Sequence, residues 1–193
     1  MDIRQLDRTA VRESVRLVEQ AGAQDWDLPT PCGDWTLRQL VAHMAAQHHG
    51  FAAAASGGGG DLTAWQPSES GDDPATTYRT AAQAVLDAFA RPGVPDRDFT
   101  LPEISTTTRF PASVAIGFHF LDYVVHGWDV ARTLGVPLHL DKEVTEAALA
   151  IALRVPDDES RLTPTAFFRP ALPTPPDASP LDRTLTALGR SPA

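Results

Sequence analysis

Apolar residues recur at helical spacing along four long stretches of the chain. In the first stretch, residues 2–21, the apolar positions are Ile3, Leu6, Ala10, Leu17, Val18 and Ala21. Charged residues lie between them, as in an amphipathic helix with one face in a core. A second helix is predicted from Leu37 to Ala55, because Thr36 and Gln39 can form a capping box at its start.

The third and fourth helices follow along the chain. The third is predicted over residues 74–90. The fourth begins at Pro111 and ends at Gly135, since proline is favoured in the first turn of a helix and glycine just after the last. The fourth helix is apolar on nearly every face, so it belongs in the centre of the fold. Residues 94–110, between these helices, fit either a short hairpin or an extended loop.

The rest of the sequence predicts two shorter helices and a proline-rich tail. Asp141 caps a fifth helix that ends before Pro156, and a last helix is predicted over residues 181–188. We expect an all-α protein whose four main helices form a bundle. Residues 1–155 are predicted to be the bundle domain. Residues 156–193 are predicted to be an irregular extension with a short terminal helix packed on the same domain.

Composition and charge narrow the possible functions. The 193 residues are 42% hydrophobic and 21% charged, and the net charge is −9. Nucleic-acid binding needs a basic face, so we expect no nucleic-acid partner. The chain has no apolar run of membrane-spanning length and no signal-peptide core, which predicts a cytoplasmic protein with no membrane partner. The single cysteine, Cys32, excludes an internal disulfide and zinc motifs built from several cysteines.

Four polar side chains interrupt the apolar fourth helix. They are His119, Asp122, His126 and Asp129. At about 100° per residue, Asp122 and His126 lie about 40° apart around the helix, and the other two lie within about 60° of Asp122. A buried charge without a partner is strongly destabilising, so these groups need partners.

A divalent metal ion is one such partner. Asp122 and His126 place an oxygen and an imidazole nitrogen on adjacent turns, and His43 lies among core-facing residues of the second helix. Three protein ligands with an open fourth position are typical of a catalytic zinc site. The alternatives are a hydrogen-bonded core histidine at His43 and a buried ion pair between Asp122 and His126.

The other polar and aromatic residues allow more than one interpretation. His119 and Asp129 are the candidate catalytic residues, but His119 also fits a fourth ligand or a core histidine. Asp129 also fits a hydrogen-bond partner behind the ligands or a partner for Arg132. Cys32 fits a packed turn better than a reactive thiol. Solvated or loop positions are predicted for His48, His49 and His139, and core anchors or cavity walls for Trp35 and Trp128.

Two segments resemble a known family. LPTPCGDWTLRQLVAHM (28–44) and HFLDYVVHGWDVARTLG (119–135) resemble the metal-binding relatives of mycothiol-dependent maleylpyruvate isomerase, in the wider DinB/YfiT-like superfamily. The resemblance covers residues 1–155 and implies a four-helix bundle with additional short helices and an irregular tail. It also implies one divalent ion, zinc by preference, bound by His43, Asp122 and His126.

The isomerase itself is similar but differs in two respects. It has glutamate at the position of Asp122, whose side chain is shorter by one methylene. It also has an additional C-terminal domain for which this chain is too short, so maleylpyruvate is not expected to be the substrate.

The resemblance further implies a low-molecular-weight thiol as co-substrate, mycothiol in actinobacterial members. A metal ion with an open position lowers the pKa of a bound thiol. The resulting thiolate can attack an electrophilic carbon of a small substrate. The expected activity is therefore S-transfer or cis–trans isomerisation, by a monomer or a homodimer. Arg38 and Arg132 are the candidates for binding carboxylate or sugar groups of the thiol and substrate.

Two other functions fit the same scaffold. One is a protein that binds a metal ion or small molecule without turnover. The other is a metal-dependent hydrolase in which the open position holds an activated water. Consumption of an electrophile only when thiol is present separates the expected activity from both.

Overall fold

The protein is built almost entirely from helices. The computed structural model describes residues 1–67, 73–163 and 166–192. The helices are α1 (Ile3–Val18), α2 (Leu37–Ala55), α3 (Pro74–Ala90), α4 (Ala112–Leu134), α5 (Lys142–Ala152) and α6 (Pro180–Ala187). The strands are β1 (Asp98–Thr100) and β2 (Arg109–Pro111), and short 3-10 turns occupy Leu62–Trp65, Val94–Asp96 and Glu159–Leu162. The prediction of an all-α protein is confirmed. Within the described ranges no helix has the length and apolar character needed to cross a membrane.

Side-chain caps set the helix ends. The Gln39 backbone N–H donates to the Thr36 hydroxyl at 3.4 Å, and the Thr36 backbone N–H donates to the Gln39 side chain at 2.9 Å. This is the capping box predicted at the start of α2. The fourth helix, α4, stops at Gly135, whose φ of 65° lies in the left-handed region that glycine adopts without strain.

The described chain forms two compact units. The first spans residues 1–139 and contains α1–α4 with both strands, and the second begins at residue 140 and contains α5 and α6. The sequence placed its boundary after residue 155, where the proline-rich composition begins. In the structure α5 packs on α6, so α5 belongs to the C-terminal unit rather than to the bundle unit.

Within the first unit, α4 lies along α1, and α2 lies along α3. The apolar residues of α4 that are no more than 1% exposed include Ala115, Ile116, Phe120, Val124 and Val130. The strands pair in antiparallel register, with Phe99 opposite Phe110. Phe99 is fully buried, so the hairpin closes one end of the core. The hairpin alternative for residues 94–110 is therefore confirmed, and α4 has the central position that its apolar faces predict.

A buried arginine organises the second unit. Arg161 is 4% exposed, and its guanidinium lies 3.4 Å from the Asp157 carboxylate. It also donates to four backbone carbonyls at 2.6–3.1 Å, those of Val155, Pro156, Arg169 and Ala187. These bonds join the segment after α5 to the end of α6. A charged donor forms stronger hydrogen bonds than a neutral one, so a single guanidinium holds several loop carbonyls in place.

The replacement Arg161→Met should destabilise the second unit. It keeps an unbranched side chain but leaves several carbonyls without a donor, at a cost of about 3 kcal/mol. Faster backbone hydrogen exchange in α5 and α6 would report this loss. Arg154→Met is the matched control, because Arg154 is exposed in the same unit. An equal effect of both replacements would contradict the role of Arg161.

Candidate metal centre

The three predicted ligands converge between α2 and α4. Asp122 Oδ1 and His126 Nε2, one turn apart on α4, lie 3.4 Å from each other. The His43 ring on α2 meets the His126 ring edge-on, with 5.5 Å between centroids. One ligand atom from each of the three side chains lies within 4.8 Å of the other two. Helical spacing places Asp122 and His126 on one face of α4, and packing of α2 brings His43 beside them.

The donor set suits a divalent transition metal. Two imidazole nitrogens and one carboxylate oxygen are the ligands that zinc and its neighbours accept, at bond lengths of about 2.0–2.2 Å. The three ligand atoms lie within 4.8 Å of one another, so small side-chain rotations are enough for all three to bind one ion. Asp122 and His43 are each half-buried, whereas His126 is 7% exposed. The cluster therefore has a solvent-facing side on which a further ligand can approach.

Asp129 lies behind His126. The His126 Nδ1–H donates to Asp129 Oδ2 at 2.9 Å, and Asp129 is fully buried. This hydrogen bond places the proton on Nδ1, so the Nε2 lone pair faces Asp122 and His43. A carboxylate in this position fixes the ring orientation and makes the imidazole a better metal ligand. Asp129 is therefore linked to the ligand cluster by its hydrogen bond to His126.

The loop before α2 folds against the same cluster. Pro29 pairs with Thr36 across a β-bridge, and Gly33 at φ 64° allows the tight turn between them. This turn brings the Trp35 ring to 4.8 Å from the His43 ring, with 37% of Trp35 exposed. Trp35 is therefore not a core anchor. Its indole lies beside the solvent-facing side of the ligand cluster, where it forms part of a wall.

The same turn places the only cysteine near two of these residues. One ligand atom each from Cys32, His126 and Asp129 lies within 4.8 Å of the other two. Cys32 is half-buried. The prediction of a packed turn agrees with this position, but no local pattern indicated that the sulfur would lie close to His126.

His119 belongs to a second, closed cluster. It donates from Nδ1 to Asp7 Oδ1 on α1 at 2.6 Å, and its Nε2 is hydrogen-bonded to His48 Nδ1 on α2 at 3.1 Å. All three side chains are fully buried. His48 was predicted to be solvated, and that prediction is wrong. Burial, followed by the neighbouring His119 and His49, holds the pKa of His48 well below its usual value.

A spacing signal for this closed cluster was present in the sequence. His48 follows Val41 by seven residues and Met44 by four, which places it on the core stripe of α2. Asp7 directly follows Leu6 and precedes Ala10 on the buried face of α1. The missing information was which buried polar residues face one another, because pairing between helices is set by packing.

The two candidate arginines lie in other surroundings. The Arg38 guanidinium is 5.8 Å from the centre of the Trp26 ring, a cation–π distance. Arg132 is exposed in the last turn of α4, where its charge faces the negative end of the helix dipole. The structure thus groups His43, Asp122, His126 and Asp129, and it gives His119, Arg38 and Arg132 different partners or surroundings.

The electrostatics of the cluster keep His43 neutral. The pKa of His43 is lowered to about 4, chiefly by burial and then by the neighbouring His126, while Asp122 acts in the opposite direction. A neutral imidazole offers its lone pair to a metal ion without first losing a proton.

Stability of the metal-free protein should depend on pH through His43. Between pH 6.5 and about 4 the unfolded chain binds a proton that the folded chain does not. The free energy of unfolding therefore falls as the pH is lowered through this window, by up to about 1.4 kcal/mol per pH unit. Denaturant unfolding of His43→Gln should show a shallower pH dependence. His49→Gln, an exposed position on the same helix, is the control, and an equal change in both variants would disprove the assignment.

Two mycobacterial proteins are similar to this chain along most of its length. Uncharacterized protein Rv0738 of Mycobacterium tuberculosis strain H37Rv is 29% identical over 163 residues, which is 84% of this chain and 84% of that protein. The same figures apply to uncharacterized protein MT0763 of strain CDC 1551. Neither name specifies an activity.

Two solved structures share the fold. The crystal structure of a histidine-to-alanine mutant of the mycothiol-dependent maleylpyruvate isomerase is 13% identical, with a TM-score of 0.68, and that of the isomerase itself is 14% identical, with a TM-score of 0.64. Each match covers 98% of this chain and 88% of the other. The matches span most of the isomerase chain. This argues against the expectation that the present chain is too short to include the isomerase's C-terminal domain.

The family model described as the mycothiol maleylpyruvate isomerase N-terminal domain matches residues 8–131. The matched range is more than half of the chain and includes His43, Asp122, His126 and Asp129. It also includes the turn that carries Cys32. The chain therefore belongs to the mycothiol maleylpyruvate isomerase N-terminal domain family.

Proposed function

We propose that this chain is a metal-dependent enzyme that uses mycothiol to isomerise a small electrophilic substrate or to transfer the thiol to it. The main support is the half-open cluster of His43, Asp122 and His126, whose ligand atoms lie within 4.8 Å of one another. Membership of a mycothiol-linked family supports the choice of thiol. Zinc is the preferred ion, because two imidazoles and a carboxylate match its usual ligands.

The protein residues supply orientation and charge. A divalent ion, when bound, lowers the pKa of a thiol and stabilises the thiolate. Asp122 offsets part of the ion's charge, and Asp129 holds the Nδ1 proton of His126 so that Nε2 remains available. Trp35 lies beside His43 and limits the approach of water on that side. These contacts favour a thiol that enters from the solvent-facing side.

The reaction needs only a thiolate and an electrophilic carbon. The thiolate sulfur forms a bond to one carbon of a conjugated double bond, and the electron pair moves to the electron-withdrawing group. If the remaining single bond rotates and the thiolate leaves, the net reaction is a cis–trans isomerisation with no proton gained. If the carbon instead takes a proton from solvent, the thiol stays attached and the reaction is a transfer.

The residues outside the ligand cluster have indirect roles in this proposal. His119 is fully buried and bonded to Asp7 and His48, so it acts by fixing α4 against α1 and α2. Arg38 and Arg132 are left out of the reacting groups, because Arg38 lies over Trp26 and Arg132 is exposed at the end of α4.

Metal content is the first test. Purified protein should contain about one divalent ion per chain, and His126→Ala should contain almost none, because two ligands rarely retain an ion through dialysis. Asp129→Asn should weaken metal affinity about 10- to 100-fold, since it removes the carboxylate that orients His126. His49→Ala is the control, and a full metal content in His126→Ala would remove His126 from the site. Elemental analysis after dialysis gives these values.

Thiol dependence is the second test. The protein should consume a generic small electrophile, such as a chloronitrobenzene, only when both metal and mycothiol are present. His43→Ala should reduce the rate at least about 100-fold, because thiolate formation depends on the ion. Turnover without thiol would instead indicate a hydrolase. Metal binding with no turnover of any tested electrophile would favour the binding protein.

A further inference from the structure

His126 is shared by two groups of potential metal ligands. One group contains His43 and Asp122, and Asp122 faces the Nε2 side of the ring. The other contains Cys32 and Asp129, and Asp129 contacts Nδ1 at 2.9 Å. The two nitrogens of one imidazole therefore face different carboxylates, and only the group with Asp129 includes a sulfur atom.

We infer that Cys32, His126 and Asp129 form a second binding position for a soft divalent ion, distinct from the position formed by His43, Asp122 and His126. Thiolate, imidazole and carboxylate together select borderline or soft ions such as Zn²⁺, Co²⁺ and Cd²⁺. Mg²⁺ and Ca²⁺ prefer sets composed of oxygen atoms and are disfavoured. This inference concerns metal binding and goes beyond the thiol reaction proposed above.

Charge balance supports a soft ion at this position. Asp129 is fully buried and His126 is 7% exposed, so an ion here would be largely removed from water. A thiolate and a carboxylate together neutralise the two positive charges of the ion, which limits the cost of burying it. The group with His43 and Asp122 has only one carboxylate and is more exposed.

The proton balance makes the two positions alternatives. When an ion binds Cys32 Sγ and His126 Nδ1, the thiol proton is released to solvent. The Nδ1 proton moves to Nε2, which faces Asp122 Oδ1 at 3.4 Å. A protonated Nε2 cannot bind an ion, so occupancy of the sulfur-containing position withdraws His126 from the other group.

Cadmium spectroscopy tests the inference directly. Cys32 is the only cysteine, so a thiolate-to-cadmium charge-transfer band in the ultraviolet can come from no other residue. Reduced, metal-free full-length protein titrated with Cd²⁺ should show this band. His43→Ala should keep it, because that variant disrupts only the other group. Cys32→Ser should still bind Cd²⁺ through His43, Asp122 and His126 but show no band.

Asp129→Asn separates a three-ligand site from a lone reactive thiol. The band should then require a higher Cd²⁺ concentration, because one charged ligand is lost. Absence of the band in both wild type and His43→Ala, with circular dichroism showing folded proteins, would overturn the inference. A band that titrates identically in wild type and Asp129→Asn would also overturn it. None of these measurements uses a thiol co-substrate, so they are independent of the thiol-dependence test for the proposed function.

Discussion

Polar groups on a buried helix must find partners, and this constraint determines the organisation of the bundle around α4. Most apolar side chains of α4 are buried, yet the helix contains two histidines and two aspartates. His119, nearer the start of α4, is satisfied by Asp7 and His48 from two other helices. The three residues that follow are satisfied mainly by one another and meet His43 on α2. The helix thus has one closed polar cluster and one half-open cluster.

The closed cluster explains how the open one keeps its geometry. His48 and His43 are five residues apart on α2, about 7.5 Å along the axis, and His119 and Asp122 are three apart on α4, about 4.5 Å. The buried His48–His119 contact therefore joins the two helices about one turn from the proposed ligands. Separating the two partners of such a buried pair destabilises the fold, so the contact resists sliding of α2 along α4. Ligands on rigid helices held in this way keep their separation better than ligands on loops.

The sequence predicted those features of the fold and site that depend on local spacing. The capping box at Thr36, the end of α4 at Gly135 and the convergence of Asp122 with His126 all follow from residues close together in the chain. It did not predict features that depend on packing between distant segments. The burial of His48 and its bond to His119 needed the register of two helices. The exposed position of Trp35 needed the conformation of the turn around Gly33. The packing of α5 on α6 likewise depends on residues far apart in the chain.

The turn before α2 is the element that distinguishes this half-open cluster from an ordinary buried ion pair. Helices α2 and α4 alone supply two imidazoles and two carboxylates, which can satisfy one another by hydrogen bonds. The turn adds an indole beside His43 and a sulfur near His126. An ion pair that only stabilised the fold would not need a solvent-facing side or a nearby thiol. Apolar side chains in its place often stabilise a protein more than a buried ion pair does. The combination of rigid ligands on helices and adaptable groups on a tight turn is instead what a site that binds and releases small molecules requires.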